Sequence, residues 1–203
     1  MDLNSEINRL LDVMPATGRM HCKIVSKPEQ PQLILSPFPL PWNQGDRPIY
    51  INFDLWQKLS RGQRDLLILS IVCRAIAIKW FKIDWYQAIT LVGFLGFSSE
   101  LLQADPLGIV ISGGLTAIAA SQIWRSNRSL QQLLIADEAA IKVATRRGYN
   151  ETEAAKCLLE AIEKAAQIEG RSSLNFDELI RTQNLKAIGN LSNIGIPKNI
   201  REG

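Results

Sequence analysis

The sequence predicts an α+β, mainly helical chain with a small N-terminal antiparallel sheet and a hydrophobic helical hairpin. Three observations carry that reading. Short β-type runs ("KIV", "QLIL", "PIYINF") crowd into residues 22–53 between prolines. Helical periodicity takes over near Leu59 and holds to Gly170. Inside that helical half lie two stretches without any charge, residues 85–99 and 106–124.

Composition narrows the class. A chain of 203 residues can bury a real core as one domain, and 46% hydrophobic against 21% charged residues argues against disorder over most of it. Lys and Arg number 23 against 20 acidic residues, with no basic block or RNA-binding aromatic motif, which excludes a nucleic-acid binder. Three cysteines, far apart and odd in number, form neither a disulfide framework nor a C-x-x-C metal knuckle. They read as buried apolar residues in a reducing compartment. The first twenty residues carry Asp2, Glu6 and Asp12 and no continuous apolar run, so no secretory signal is expected there.

The elements follow in order. Leu3, Ile7, Leu10 and Leu11 recur at helical spacing, and Pro15 stops that first helix. Prolines at 28, 31, 37, 39, 41 and 48 keep the strands short or at a sheet edge, so "RPIYINF" reads as an edge strand. Ser60 then caps a helix, with Gln63 completing a capping box. The helix body is apolar on nearly every side except at Arg74 and Lys79, the pattern of a buried helix.

The charge-free stretches predict the hairpin, about residues 85–124. At 1.5 Å per residue the second is about 28 Å long, close to a bilayer core, and the first about 22 Å. Their connector holds Glu100 and Asp105 and no Lys or Arg, whereas Arg74, Lys79 and Lys82 precede the hairpin and Arg125 and Arg128 follow it. That asymmetry predicts a lipid bilayer partner with both termini on the cytoplasmic or stromal side. Gly93, Gly96, Gly108 and Gly113 dilute the hydrophobicity, so a cytoplasmic soluble protein with the hairpin in its core is the alternative.

Beyond it, "RSLQQLLIADEAAIKVATRRGYN" reads as an amphipathic helix stopped by Gly148. Asn150, with Glu153 as capping-box partner, opens the next helix, which closes at Gly170. Residues 1–170 are therefore expected to form a single domain, and 171–203 a partly flexible C-terminal extension with a short helix.

This order of parts resembles the M48-type zinc metallopeptidases, which include membrane-bound HtpX-like enzymes. The likeness spans about residues 32–169: a strand, a "Leu-Ser" helix start, a hydrophobic hairpin, then Ala136-Asp137 and Gly148-Tyr149 where the family has E-x-x-A-D and Gly-Tyr. The resemblance implies a zincin-like helical core. It also implies that the chemistry is gone. Aligned without gaps, Ser70, Ile71 and Arg74 stand where the family has His, Glu and His; slid by two, Val72, Cys73 and Ile76 do. Leu133 takes the place of the third ligand. Zinc needs two imidazoles one turn apart, a further ligand and a carboxylate base, so no catalytic residue, metal or cofactor is expected.

Ser70, Cys73, Arg74, Leu133 and Asp137 are the candidates for the disused cleft. Asp137 in the family supports a zinc-bound His, and here it is expected to pair with Arg74. Strand addition, the way such peptidases hold substrates, points to Pro48, Ile49, Tyr50 and Ile51 as the docking edge. A mixed metal site from His21, Cys22, Cys73, Asp137 and Glu138 is competent by ligand type, and a Ser70 or Cys73 nucleophile has only His21 as base. Packing is the stronger reading of all of these.

The overall pattern also looks like a family of cyanobacterial and plastid proteins of unknown function, which implies a thylakoid or plasma membrane. The functional expectation is a non-catalytic, membrane-associated protein-binding scaffold, an assembly or stability factor whose partner is a membrane protein or membrane-associated complex. The alternatives are a soluble helical interaction protein and a hydrolase with a non-standard metal site.

Overall fold

The computed structural model describes residues 2–38, 46–77 and 130–191. The protein divides into two compact units, Met1–Ile78 with Leu133–Gly203, and Lys79–Gln132. Apart from residues 130–132 the described residues belong to the first. The expected hairpin at 85–124 lies outside the described residues. No helix among them is long and apolar enough to cross a membrane.

Helix α1 (Leu3–Val13) starts at Asp2, whose side chain accepts the Ser5 N–H at 2.9 Å, and ends before Pro15 as its sequence requires. A short α2 (Ala16–His21) follows, not expected from the sequence, and runs directly into β1 (Cys22–Ser26). Strands β2 (Ile34–Leu35) and β3 (Arg47–Ile51) complete a three-stranded sheet in the order β1-β3-β2.

The sheet corrects two expectations. It is mixed, not antiparallel: β1 runs parallel to β3 from Cys22↔Arg47 to Ser26↔Ile51, and β2 is antiparallel to β3 at Ile34↔Ile51 and Leu35↔Tyr50. The segment from residue 27 to 46 includes β2 and supplies the return that a parallel pair needs. In consequence β3 is the middle strand, so Pro48, Ile49, Tyr50 and Ile51 are not a free edge. The edge beside β3 is β2. Pro48 is tolerated because β2 covers only Tyr50 and Ile51, leaving a position with no ladder bond to lose on that side.

Asn52 ends the sheet and starts α3 (Phe53–Trp56). Its side-chain Oδ1 accepts from the Asp54 and Leu55 N–H groups, and its side-chain Nδ2 donates to the Pro28 and Gln30 carbonyls. The capping box expected at Ser60 is borne out: the Ser60 N–H donates to Gln63 Oε1 at 2.9 Å, and the Gln63 N–H to Ser60 Oγ at 3.4 Å.

It opens α4 (Arg61–Ala77), which runs through the middle of the unit. One face (Leu67, Ile68, Val72) joins Leu10, Met14, Ile49, Ile51 and Trp56 from α1, the sheet and α3. The other (Leu66, Leu69, Cys73) packs with α5 (Leu130–Thr145), α6 (Glu151–Ile168) and Leu185 of α7 (Phe176–Ile188). Two cores meet on one helix, which is why its sequence is apolar nearly all round.

Gly148 has φ +97° and closes α5 as expected. Asn150 caps α6, but through the Thr152 N–H at 3.2 Å. Helix α7 carries its own capping box, Asn175 with Glu178. It buries Leu185 completely, so the packed body continues past residue 170.

Gly18 of α2 lies against α4 so closely that a Cβ there would sit 2.5 Å from Val72 Cγ1. Gly18→Ala is predicted to destabilise the protein by about 1–3 kcal/mol, the usual cost of overpacking next to a stiff β-branched side chain. Urea titration of the two proteins measures it. An unchanged midpoint would mean that α2 and α4 are not in contact at this point.

Candidate functional site

Along one strip α4 is not covered by apolar neighbours. Leu67, Ser70, Ile71 and Arg74, spaced three and four apart, face a cavity of about 430 Å³. Edge strand β2 and the segment to Phe38 form the opposite wall. Ile162 and Ala165 of α6, Glu178 and Arg181 of α7, and Leu133 of α5 complete it.

Ser70, Arg74 and Leu133, three of the five residues singled out in the sequence, line this cavity. Asp137 lies just beneath, accepting a hydrogen bond from Ser70 Oγ at 2.6 Å. Cys73 faces away into the apolar core, where burial, then the charge of Asp137, push its thiol up to about 11. It is a poor nucleophile for that reason. Val72 lies in the other core, and neither it nor Cys73 lines the cavity.

The expected Arg74–Asp137 pair is not the pair formed. Asp137 is fully buried and its carboxylate belongs to Arg181: Nε to Oδ2 at 2.7 Å and Nη2 to Oδ1 at 2.8 Å, with Nη2 also 3.1 Å from Ser70 Oγ. A side-on, two-bond match of this kind is the strongest form of the interaction. Burial opposes the Arg181 charge, but Asp137 outweighs it and holds the guanidinium protonated. Arg181 sits in α7, 44 positions along the sequence from Asp137. Arg74 remains on the cavity wall.

The other acids of the wall are bound within the protein. Arg171 forks onto Glu178 at 2.7 and 2.9 Å and donates through Nε to Glu169 at 3.0 Å. The second Glu169 oxygen accepts the Leu33 N–H at 2.8 Å, tying the approach to β2 to the end of α6.

A second polar network lies outside this cavity and was not foreseen. Glu6, buried in α1, accepts from Arg9 at 2.7 and 2.8 Å, from Arg64 at 2.8 Å and from Trp56 Nε1 at 3.3 Å. Arg9 also pairs with Asp65, which accepts the Tyr149 hydroxyl at 2.8 Å. Burial, then this bond, push the Tyr149 hydroxyl up to about 12. The available signal was charge inside apolar periodicity: Glu6 one position before Ile7, and Asp65 directly before "LLIL". His21 is exposed at the end of α2, and among the described residues no three His, Cys, Asp or Glu side chains gather to hold a metal.

Residues 8–149 match the family described as "Protein of unknown function (DUF3318)", and this chain belongs to that family. Over 160 residues it is 31% identical to "Thylakoid membrane protein slr1949" of Synechocystis sp. (strain ATCC 27184 / PCC 6803 / Kazusa), covering 76% of this chain and 73% of that protein. No solved structure matches. The likeness to an uncharacterised cyanobacterial family is thereby supported. The family description carries no activity, and its span ends before α6 and α7, which form one side of the cavity.

The Arg9 guanidinium is the main cause holding the Glu6 carboxyl below its ordinary value of 4.5. A depressed folded value stabilises the fold above the unfolded value, and that stability disappears as pH falls through the folded one. Urea midpoints followed from pH 6 down to pH 3 are therefore predicted to fall more steeply for the native protein than for Glu6→Gln. Parallel curves for the two would remove Glu6 from the acid response.

Proposed function

We propose that this protein is a non-catalytic, membrane-associated protein-binding scaffold, an assembly or stability factor that receives a segment of a membrane protein in the α4–β2 cleft. The observation that carries this is the convergence of Ser70, Arg74 and Leu133 on one cavity, with Asp137 bonded to Ser70. In a degenerate M48-type core these would be the places of two imidazoles and a carboxylate, with Asp137 still bonding the residue where the first imidazole stood. None of the three can ligate zinc as the missing residues would. The Arg181–Asp137 ion pair lies under the cleft.

The docking edge follows from the sheet order. With β3 in the middle, the edge facing the cavity is β2, so an extended segment would add along Ile34 and Leu35. Membrane association is supported by the thylakoid membrane relative and by the charge-free stretches at 85–124, whose flanks favour cytoplasmic or stromal termini.

Two measurements in a cyanobacterial host test this. The protein is predicted to stay with membranes through a carbonate wash; release into the supernatant contradicts membrane association. A photo-crosslinker at Leu35, which is 41% exposed on β2, is predicted to give an adduct of discrete mass with a membrane protein. The same group at Met20, exposed on α2 and outside the cavity, should give none. Equal labelling from both positions would sink the cleft as the receptor.

A further inference from the structure

We infer that the folded unit rests directly on the bilayer surface through Ile135 of α5 and Phe176 and Leu179 of α7, with these side chains at the acyl-chain boundary. This rests on the membrane association proposed above and is independent of what the cleft receives.

Helix α7 is inverted. Its buried residues include Thr182 and Asn184, and Arg181 has only 15% of its side chain exposed. Its first half turns apolar side chains outward instead: Phe176 is 68% exposed and Leu179 52%. They lie three apart, on one face of the helix. A helix facing water on that side has the opposite distribution. On α5, joined to α7 by the Arg181–Asp137 pair, the pattern repeats: Asp137 has no exposed surface, and Ile135, two positions earlier, is 47% exposed. Single exposed hydrophobic residues are ordinary, whereas three beside a buried ion pair on adjoining helices mark a surface with an apolar neighbour.

Helix directions bring all three toward one end of the unit. Tyr149 meets Asp65 and Asp137 meets Ser70, so α5 runs antiparallel to α4. Gly62 lies against Cys157, and Glu169 lines the cavity with Arg74, so α6 runs parallel to α4. Arg171 bonds Glu178, and Lys186 approaches Glu163 at 4.0 Å, so α7 runs back along α6. One end therefore holds the last turn of α4 and the first turns of α5 and α7. Measured along the helices from the ion pair, Ile135 and Leu179 lie about 3 Å toward that end and Phe176 about 7.5 Å. The opposite end carries exposed charge instead: Arg61, Arg146, Arg147, Glu151 and Glu153.

Chain length selects lipid as the neighbour. The charge-free stretches begin at 85, eight residues beyond Ala77 of α4, and end at 124, six before Leu130 of α5. At about 3.6 Å per residue at most, a bilayer holding them passes within about 29 Å of the end of α4 and about 22 Å of the start of α5. The end that carries the patch is thus tethered at two points to the membrane. The thylakoid membrane relative supplies the setting. Asp177, exposed on the same first turn as Phe176, limits insertion to the depth of an interfacial helix, about 5–10 Å.

The test uses the full-length protein in vesicles of phosphatidylcholine and phosphatidylglycerol, with a fluorescent amino acid at position 176, at 179, or at 146 on the opposite end. Flotation measures association. Lipids carrying a nitroxide near the headgroup end of the acyl chain are predicted to quench positions 176 and 179 about threefold or more strongly than position 146, and aqueous iodide to quench in the reverse order. Should one substituted protein lose its melting transition, the other of 176 and 179 decides. Equal nitroxide quenching at the two ends of a protein that floats overturns the inference and leaves the membrane association standing. Positions 176 and 179 quenched by neither reagent overturn it too, because protein then covers the patch. Protein that does not float with the vesicles overturns the inference and the membrane association together.

Discussion

A carboxylate with no exposed surface sets the terms for the rest of this structure. Burying an ion costs several kcal/mol, recovered only when its oxygens are fully and well bonded. Asp137 meets that condition through Arg181 and Ser70, which come from helices α7 and α4. Satisfying one side chain therefore brings three helices to one point. Helix α7 contributes Glu178 and Arg181 to the cavity lining. Ser70 and Arg181, both bonded to Asp137, also line the cavity.

The Glu6–Arg9–Asp65–Tyr149 network does a separate job. It joins α1 to the first turns of α4 and to the α5–α6 turn, outside the cavity, through charges shared among Arg9, Arg64 and two acids. Helix α4 is thus held at its start by one network and near its middle by another, between two apolar cores. Leu67, Ser70, Ile71 and Arg74 are among the α4 residues that face the cavity. Such a helix suits recognition because its cavity-facing side chains are fixed by contacts on every other side.

Much of this was legible in the amino-acid sequence. The Ser60–Gln63 box, the all-round apolar body of α4, the Gly148 stop and the Asn150 cap depend on neighbours within a few residues, and local chemistry determines them. Ser70 and Arg74 lie four apart on α4, a spacing that puts both on the cavity side of that helix. Long-range choices were not legible. Asp137 clearly required a base, and Arg74 was the cationic residue in the helix expected beside it. That the base is Arg181 depends on how a helix 44 residues later packs. The sheet failed for a similar reason: proline spacing limits strand length, but it does not say that β3 inserts between β1 and β2. Nothing local to α1 says that Glu6 and Arg9 are bound by Arg64, Asp65 and Trp56, through bonds that span 50 to 58 residues of sequence.

If the Arg181–Asp137 pair is the constraint on which the cleft depends, its two halves must be strongly coupled energetically. A double-mutant cycle with Arg181→Met and Asp137→Leu, read by urea unfolding of the full-length protein, measures that coupling directly. Each single change leaves a buried charge without its partner and should cost about 3–5 kcal/mol, while the double change should cost less than either. Single effects that simply add, to within about 0.5 kcal/mol, would show the pair to be incidental and would contradict the account.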